Sequence, residues 1–302
     1  MRLRQVLGVG VLGWLAWRLF GPELVPRFET PQERPNRIAG RSVLVGQREL
    51  FVREAGPPAA RPVVLLHGWA YDSLATWHKV LGPLAERYRV VAIDQRNHGR
   101  SERVRGSFDM EDVADEVAGV MDAVGVPRAA VVGYSMGGMV AQALAFRHPE
   151  KVERLVLGAT AAYPLSRRRG AMRIGFALAR ALGRISLVEW SRATVSYLIQ
   201  HGALELRHAR WMWGSLLDRD MSLSFEAGHA ILRFDSRSWV GRIGVPALVV
   251  IPTEDQLVDP SSQRELADLL GEAMIVEVVG ARHEAVLTHA DDIVKAIEGF
   301  VE

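Results

Sequence analysis

The stretch AVVGYSMGGMV, residues 130–140, decides the fold. An apolar run of strand character meets glycine at Gly133, and from Met136 onward the spacing is helical. Glycine inside a strand or helix is unfavourable by roughly 0.5–1 kcal/mol relative to alanine, so glycines at this junction imply a turn or close backbone approach that larger residues would obstruct. Gly133-Tyr134-Ser135-Met136-Gly137 reads G-x-S-x-G. A strand before it and a helix after it are the setting in which that pattern becomes a nucleophile elbow, a sharp turn holding a serine above the end of a sheet.

Outward from this turn, the chain beyond Arg41 alternates short β-rich runs with helical patterns, the mark of a mostly parallel sheet covered on both faces. SVLV and ELFVRE predict an antiparallel pair around Gly46. PVVLLHG (62–68), YRVVAID (88–94), AAVVGYS (129–135), ERLVLGAT (153–160), PALVVIP (246–252) and MIVEVVG (274–280) predict further strands. As continuous apolar runs, these should be buried on both faces. Helices are predicted near Thr76 to Arg87, Met110 to Val124, Met136 to Arg147 and Ser261 to Leu270, and from Ala290 onward.

Residues 161–245 interrupt this alternation, with helical spacing, four tryptophans (Trp190, Trp211, Trp213, Trp239) and thirteen arginines against six acids. They read as a basic helical cap inserted over the sheet, leaving 41–160 and 246–302 as the core.

At 302 residues, 49% hydrophobic and 24% charged, the chain is long enough for one large α/β domain with an insertion. The absence of cysteine excludes disulfides, thiolate metal sites and cysteine nucleophiles. A net charge of +2 gives no ground for nucleic acid as a partner. At the amino terminus, Arg2 and Arg4 precede VLGVGVLGWLAW (Val6 to Trp17). Those twelve residues would rise about 18 Å as a helix. No small-x-small cleavage site follows, so residues 1–20 read first as an uncleaved membrane anchor, with a removed signal and an interfacial helix as the alternatives. Basic residues after the stretch favour a cytoplasmic catalytic domain. Residues 21–40, with Pro22, Pro26, Pro31 and Pro35, read as an extended linker.

A serine hydroxyl needs a base to take its proton, an acid to orient that base, and donors for the oxyanion. On a sheet of this kind the chain order is serine, acid, histidine. After Ser135 the acid candidates are Glu254, Asp255 and Asp259 in IPTEDQLVDP, and the base candidates are His283 in VVGARHEAVL and His289. The N–H groups of Met136 and of Trp69 in LLHGWA are candidate oxyanion donors. His67 and His98 read as hydrogen-bonding structural residues. His78, His148, His201, His208 and His229 read as surface or cap histidines without the acid cluster a metal needs, so no metal is predicted.

VVLLHGWA, VVAIDQRNHGRSE, VVGYSMGG, EDQLVDP and GARHEAV occur in the order found in the α/β-hydrolase family, which the chain resembles from about Val43 to Val301. The resemblance implies Ser135 as nucleophile, Asp255 as orienting acid and His283 as base. It also implies Trp69 and Met136 as the oxyanion hole and as substrate-binding residues. Asp255 is preferred to Glu254 because its spacing to Leu257, Val258 and Pro260 matches the family's acid turn. Pro252 and Arg282 stand where the family often has glycine, which bears on the geometry of both loops. The implied chemistry is cofactor-free hydrolysis of a carboxylic ester through an acyl-enzyme. Serine at the elbow argues against the haloalkane dehalogenases and epoxide hydrolases, which use aspartate. Perhydrolases, C–C bond hydrolases, acyltransferases and ligand-binding members with little turnover share the same constellation. The apolar cap residues, the basic cap and the amino-terminal stretch point to a lipid-derived or medium-chain ester as the small-molecule partner.

Overall fold

The computed structural model describes residues 31, 33–35, 38–163 and 187–302. The expected anchor (1–20), most of the linker and residues 164–186 of the expected cap lie outside the described residues. Eight strands form one sheet: β1 (Gly40–Val45), β2 (Arg48–Ala55), β3 (Pro62–Leu66), β4 (Arg89–Asp94), β5 (Ala129–Tyr134), β6 (Val152–Gly158), β7 (Ala247–Pro252) and β8 (Met274–Val278). Their order is β1-β2-β4-β3-β5-β6-β7-β8, antiparallel at β1/β2 and β2/β4 and parallel elsewhere. The chain leaves β3 toward β4, then crosses to β5 on the other side of β3. This reversal leaves a crevice at the carboxyl ends of β3 and β5, where open α/β sheets hold their ligands.

Alternation along the central strands builds two cores. Val63, Leu65, Val90, Ala92, Ala130 and Val132 face one side, and Val64, Leu66, Val91, Ile93 and Val131 face the other. The second face is covered by α3 (Met110–Ala123) and α4 (Met136–Arg147). In α3 the buried Met110, Val113, Ala114, Val117 and Met121 recur at helical spacing, and Glu111 and Asp112 suit the positive end of the helix. The first face is covered by α1 (Ser73–Trp77), α2 (Leu81–Ala85) and α10 (Ala290–Val301), which contributes Ile293, Ile297 and Phe300. Each such side chain, fully buried, stabilises by about 1.5–3 kcal/mol before entropy is counted.

Between β6 and β7 the described residues form α5 (Leu187–Gln200), α6 (Ala209–Leu217) and α7 (Met221–Arg233) and no strand. The last quarter of the chain adds α8 (Pro260–Leu269) and the short α9 (Ala285–Thr288). Asp259 caps α8 by accepting the Ser261 N–H, and Pro260 occupies the first turn, where no donor is needed. No helix among the described residues is long and apolar enough to cross a membrane.

Two expectations are corrected. The single helix near Thr76 to Arg87 is instead α1 and α2, interrupted around His78 to Val80. The interruption places Pro83 in the first turn of α2, where its missing N–H breaks no ladder. The last strand is not buried on both faces: as the sheet edge, β8 leaves Met274 55% and Ile275 45% exposed.

The β5-to-α4 turn is packed backbone to backbone. A Cβ on Gly133 would lie 2.4 Å from the Gly137 carbonyl oxygen, and one on Gly137 would lie 2.2 Å from the Leu66 carbonyl oxygen. Gly137→Ala should therefore lower stability by at least about 2 kcal/mol in urea unfolding. Gly82→Ala, exposed in α2 with nothing within 4 Å of its Cβ position, should be neutral or stabilising by up to about 1 kcal/mol.

Candidate active site

Ser135 follows β5 and caps α4 at φ 55°, ψ −117°, a conformation that residues other than glycine rarely adopt. Such strain costs about 1–3 kcal/mol and persists where the surroundings over-determine it. Here the Ser135 N–H donates to Gly158 O of β6 at 2.8 Å, and the Gly138 N–H donates to Ser135 O at 2.9 Å. The turn thus holds the hydroxyl over the switch point.

His283 and Asp255 meet this serine from the loops after β8 and β7. The Ser135 hydroxyl lies 3.0 Å from His283 Nε2, and His283 Nδ1 lies 2.8 Å from Asp255 Oδ2. An Nδ1–H donated to the carboxylate leaves Nε2 with a lone pair facing the serine. Asp255 is fixed in turn. Its Oδ1 accepts the N–H groups of Leu257 and Val258 at 2.8 and 2.9 Å, and its Oδ2 accepts from Gln263 Nε2 at 3.1 Å. Burial alone would push the His283 pKa down, but the Asp255 charge and hydrogen bond, aided by Glu284, outweigh it and raise the value above 6.5.

Two residues that sequence reasoning missed position this chain. Gln263 is fully buried in α8 and bridges Asp255 to Val258 O. The Tyr134 hydroxyl, next to the nucleophile, donates to His283 O at 2.8 Å and accepts the Val286 N–H at 3.3 Å.

The loop after β3 passes close by. A Cβ on Gly68 would lie 3.5 Å from Ser135 Cβ. His67 ties that loop to the one after β4: its Nε2 accepts the Gln95 N–H at 2.9 Å, and Gln95 Nε2 donates to His67 O at 2.7 Å. Burial drives the His67 pKa down, so this buried ring is neutral. Trp69 follows Gly68 and commits its indole N–H to Ser224 O of α7. Met136 opens α4, where the first N–H groups lack intrahelical acceptors. Its side chain is fully buried in the core, which corrects the expectation that this side chain lines the substrate.

An apolar groove of about 370 Å³ borders His283, walled by Trp190, Ala193, Thr194 and Tyr197 of α5 and by Leu257. The other candidates lie apart from Ser135. Glu254 is exposed, Asp259 caps α8, and His289 Nδ1 is 2.8 Å from Thr288 Oγ1. His78, expected as a surface or cap residue, is instead buried in the core just after α1, against Trp211 and His208, and burial lowers its pKa to about 4; His208 lies in the stretch expected as the cap and is also buried. No group of three or more potential metal ligands occurs among the described residues.

Residues 61–290 match the alpha/beta hydrolase fold family, and the chain belongs to it. It is 32% identical over 263 residues to a pimeloyl-[acyl-carrier protein] methyl ester esterase of Chromobacterium violaceum, covering 84% of this chain and 98% of the relative. A putative carbamate hydrolase RutD of Caulobacter segnis is 30% identical over 256 residues, covering 82% and 93%. Among solved structures, the enol-lactonase from Burkholderia xenovorans LB400 superposes with a TM-score of 0.74 at 28% identity, covering 86% of this chain and 99% of that one.

The charge balance at His283 is testable without a substrate. Its imidazole resonances should titrate with a midpoint above 6.5 by NMR, and Asp255→Asn should move that midpoint down, because burial then acts with less opposition. A midpoint unmoved by the substitution would contradict the assigned cause.

Proposed function

We propose that this hydrolase cleaves carboxylic esters through an acyl-enzyme on Ser135. The observation that carries the reading is the hydrogen-bonded chain from Ser135 through His283 to Asp255. In this mechanism His283 Nε2 takes the hydroxyl proton as Ser135 Oγ bonds to the ester carbonyl carbon. The carbonyl π pair moves onto oxygen, where the N–H groups of Met136 and Trp69 would receive it. Collapse of the adduct breaks the bond to the leaving alkoxide, which takes the proton from His283, and water releases the acyl group by the same steps. Asp255 holds the ring by its hydrogen bond and steadies the imidazolium. The similarity to a methyl ester esterase and to an enol-lactonase supports an ester substrate.

The finer part of the proposal concerns the substrate. The groove beside His283 is walled by Trp190, Ala193, Tyr197 and Leu257, the last 56% exposed, and would take an apolar acyl chain. With the amino-terminal apolar stretch as an anchor, a lipid-derived or medium-chain ester presented at a membrane is the favoured substrate.

A fluorophosphonate probe should add to Ser135, located by mass spectrometry, and Ser135→Ala should abolish both labelling and nitrophenyl ester hydrolysis. Rates across acyl chains of increasing length should peak at medium length, and Trp190→Ala should shift that optimum. An enzyme active only on acetate esters, indifferent to liposomes, would remove the lipid reading. Activity requires neutral His283, so kcat/KM should rise with pH through a limb above 6.5. Asp255→Asn should lower kcat by about 10³–10⁴.

A further inference from the structure

Beside the loop after β3 lies a cavity of about 420 Å³ with a strongly cationic wall. Arg34, Arg53, Arg100, Arg103 and Arg219 line it, against Asp72 and Asp218. Asp72 is already committed, accepting the Ala75 N–H on one oxygen and the Ser215 hydroxyl on the other, each at 2.7 Å. None of the five arginines forms an ion pair with a carboxylate among the described residues. Arginines elsewhere on the surface do: Arg41 and Arg89 with Glu54, Arg147 with Asp115, Arg237 with Asp235 and Arg264 with Glu277.

Two of these arginines each carry a buried nitrogen with no hydrogen-bond partner, Arg53 as a buried residue and Arg219 as a half-buried one. Arg53 is 3% exposed and its Nε has no partner; Arg219 donates from Nε to Leu216 O at 2.9 Å, but its buried Nη2 has none. Burial lowers both pKa values, that of Arg219 to about 10, and both groups stay charged at neutral pH. Arg103 is held rigidly by donation to the carbonyls of His98, Gly99 and Ser101, and Arg100 lies over the Phe51 ring with 4.4 Å to its centroid. A buried cation with an unpaired N–H is expensive, and a bound anion supplies the missing acceptors.

We propose that this cavity is an anion site that takes a phosphate group. A carboxylate would bring one charge and two oxygens, whereas phosphate brings nearly two charges at neutral pH and more oxygens for several guanidinium forks. Ala70 on the cavity wall is two residues beyond Gly68, which lies against Ser135, so a bound phosphate would brace the loop that carries the Trp69 N–H. The inference stands independently of the ester reading. The phosphate can be inorganic or carried by a larger molecule.

Isothermal titration calorimetry of the full chain with sodium phosphate at about pH 7.5, where the dianion dominates, should give saturable one-site binding that sodium chloride of equal ionic strength does not reproduce. Arg100→Gln, on the exposed rim, and Arg219→Met should each weaken it by about tenfold or more. Arg264→Gln should leave it unchanged. Glycerol phosphate distinguishes the source: tighter binding than inorganic phosphate assigns the site to an organic phosphate, and equal or weaker binding assigns it to the free ion. Circular dichroism and nitrophenyl acetate hydrolysis on each variant separate loss of the site from loss of the fold. Absence of saturable binding, or binding that folded Arg100→Gln and Arg219→Met both retain, overturns the proposal.

Discussion

The contact between the Gly137 Cα and the Leu66 carbonyl, with no room for a Cβ, is the constraint from which the rest of the site follows. It lets α4 begin directly against the end of β3, which forces β5 to turn within one residue. Ser135 takes up that turn at φ 55°. The strain is sustained because α4 is buried from Met136 to Ala145 and β5 is paired on both sides, by β3 and β6. Relaxing the serine would mean lifting a buried helix off the sheet. A strained nucleophile position and a well-packed core are thus two consequences of the same close approach.

That geometry would be inert without control of charge. Asp255 has no exposed side-chain surface, and a bare buried carboxylate would be costly; four donors, from Leu257, Val258, Gln263 and His283, meet it. The carboxylate thus satisfied raises the His283 pKa despite burial, while burial pushes His67, whose ring has no carboxylate hydrogen bond, the other way against the more weakly opposing charges of Asp94 and Asp72. Two buried histidines, one on the nucleophile and one tying the loops after β3 and β4 together, are set to opposite tendencies by their surroundings.

The parallel strands were legible because strands buried on both faces must be continuous apolar runs, and the elbow was legible because its glycines have a steric cause. The same rule misled at β8, since an apolar run does not say whether a further strand covers it; Met274 and Ile275 lie at the edge. Helical spacing ran through His78 to Val80 because it ignores Pro83, whose ring selects where a helix can start. The resemblance selected Asp255 among Glu254, Asp255 and Asp259 by its spacing, and the physical reason for that spacing is that the N–H groups of Leu257 and Val258 converge on its carboxylate. Gln263 was invisible for a related reason, because a glutamine in a helix following a proline reads as solvent-facing until the loop it buttresses is in place.

The basic excess of residues 161–245 is unevenly distributed, and this changes what it can explain. Six of its thirteen arginines, and none of its acids, fall within 164–186. The described remainder is nearly balanced, with Arg192 paired to Glu189, Arg207 to Glu205 and Arg237 to Asp235. An attraction of the inserted stretch to anionic lipid therefore has to reside in 164–186, since charges already paired contribute little at a distance. Arg219, in the turn between α6 and α7, has no carboxylate partner among the described residues. It points its positive charge inward, toward a wall to which Arg53, Arg100 and Arg103 from the core also contribute. The two concentrations of charge are chemically different: one lies in a contiguous run of the chain, and the other is assembled by the fold from four separate segments. An anion held at the second would be recognised by geometry as well as by charge.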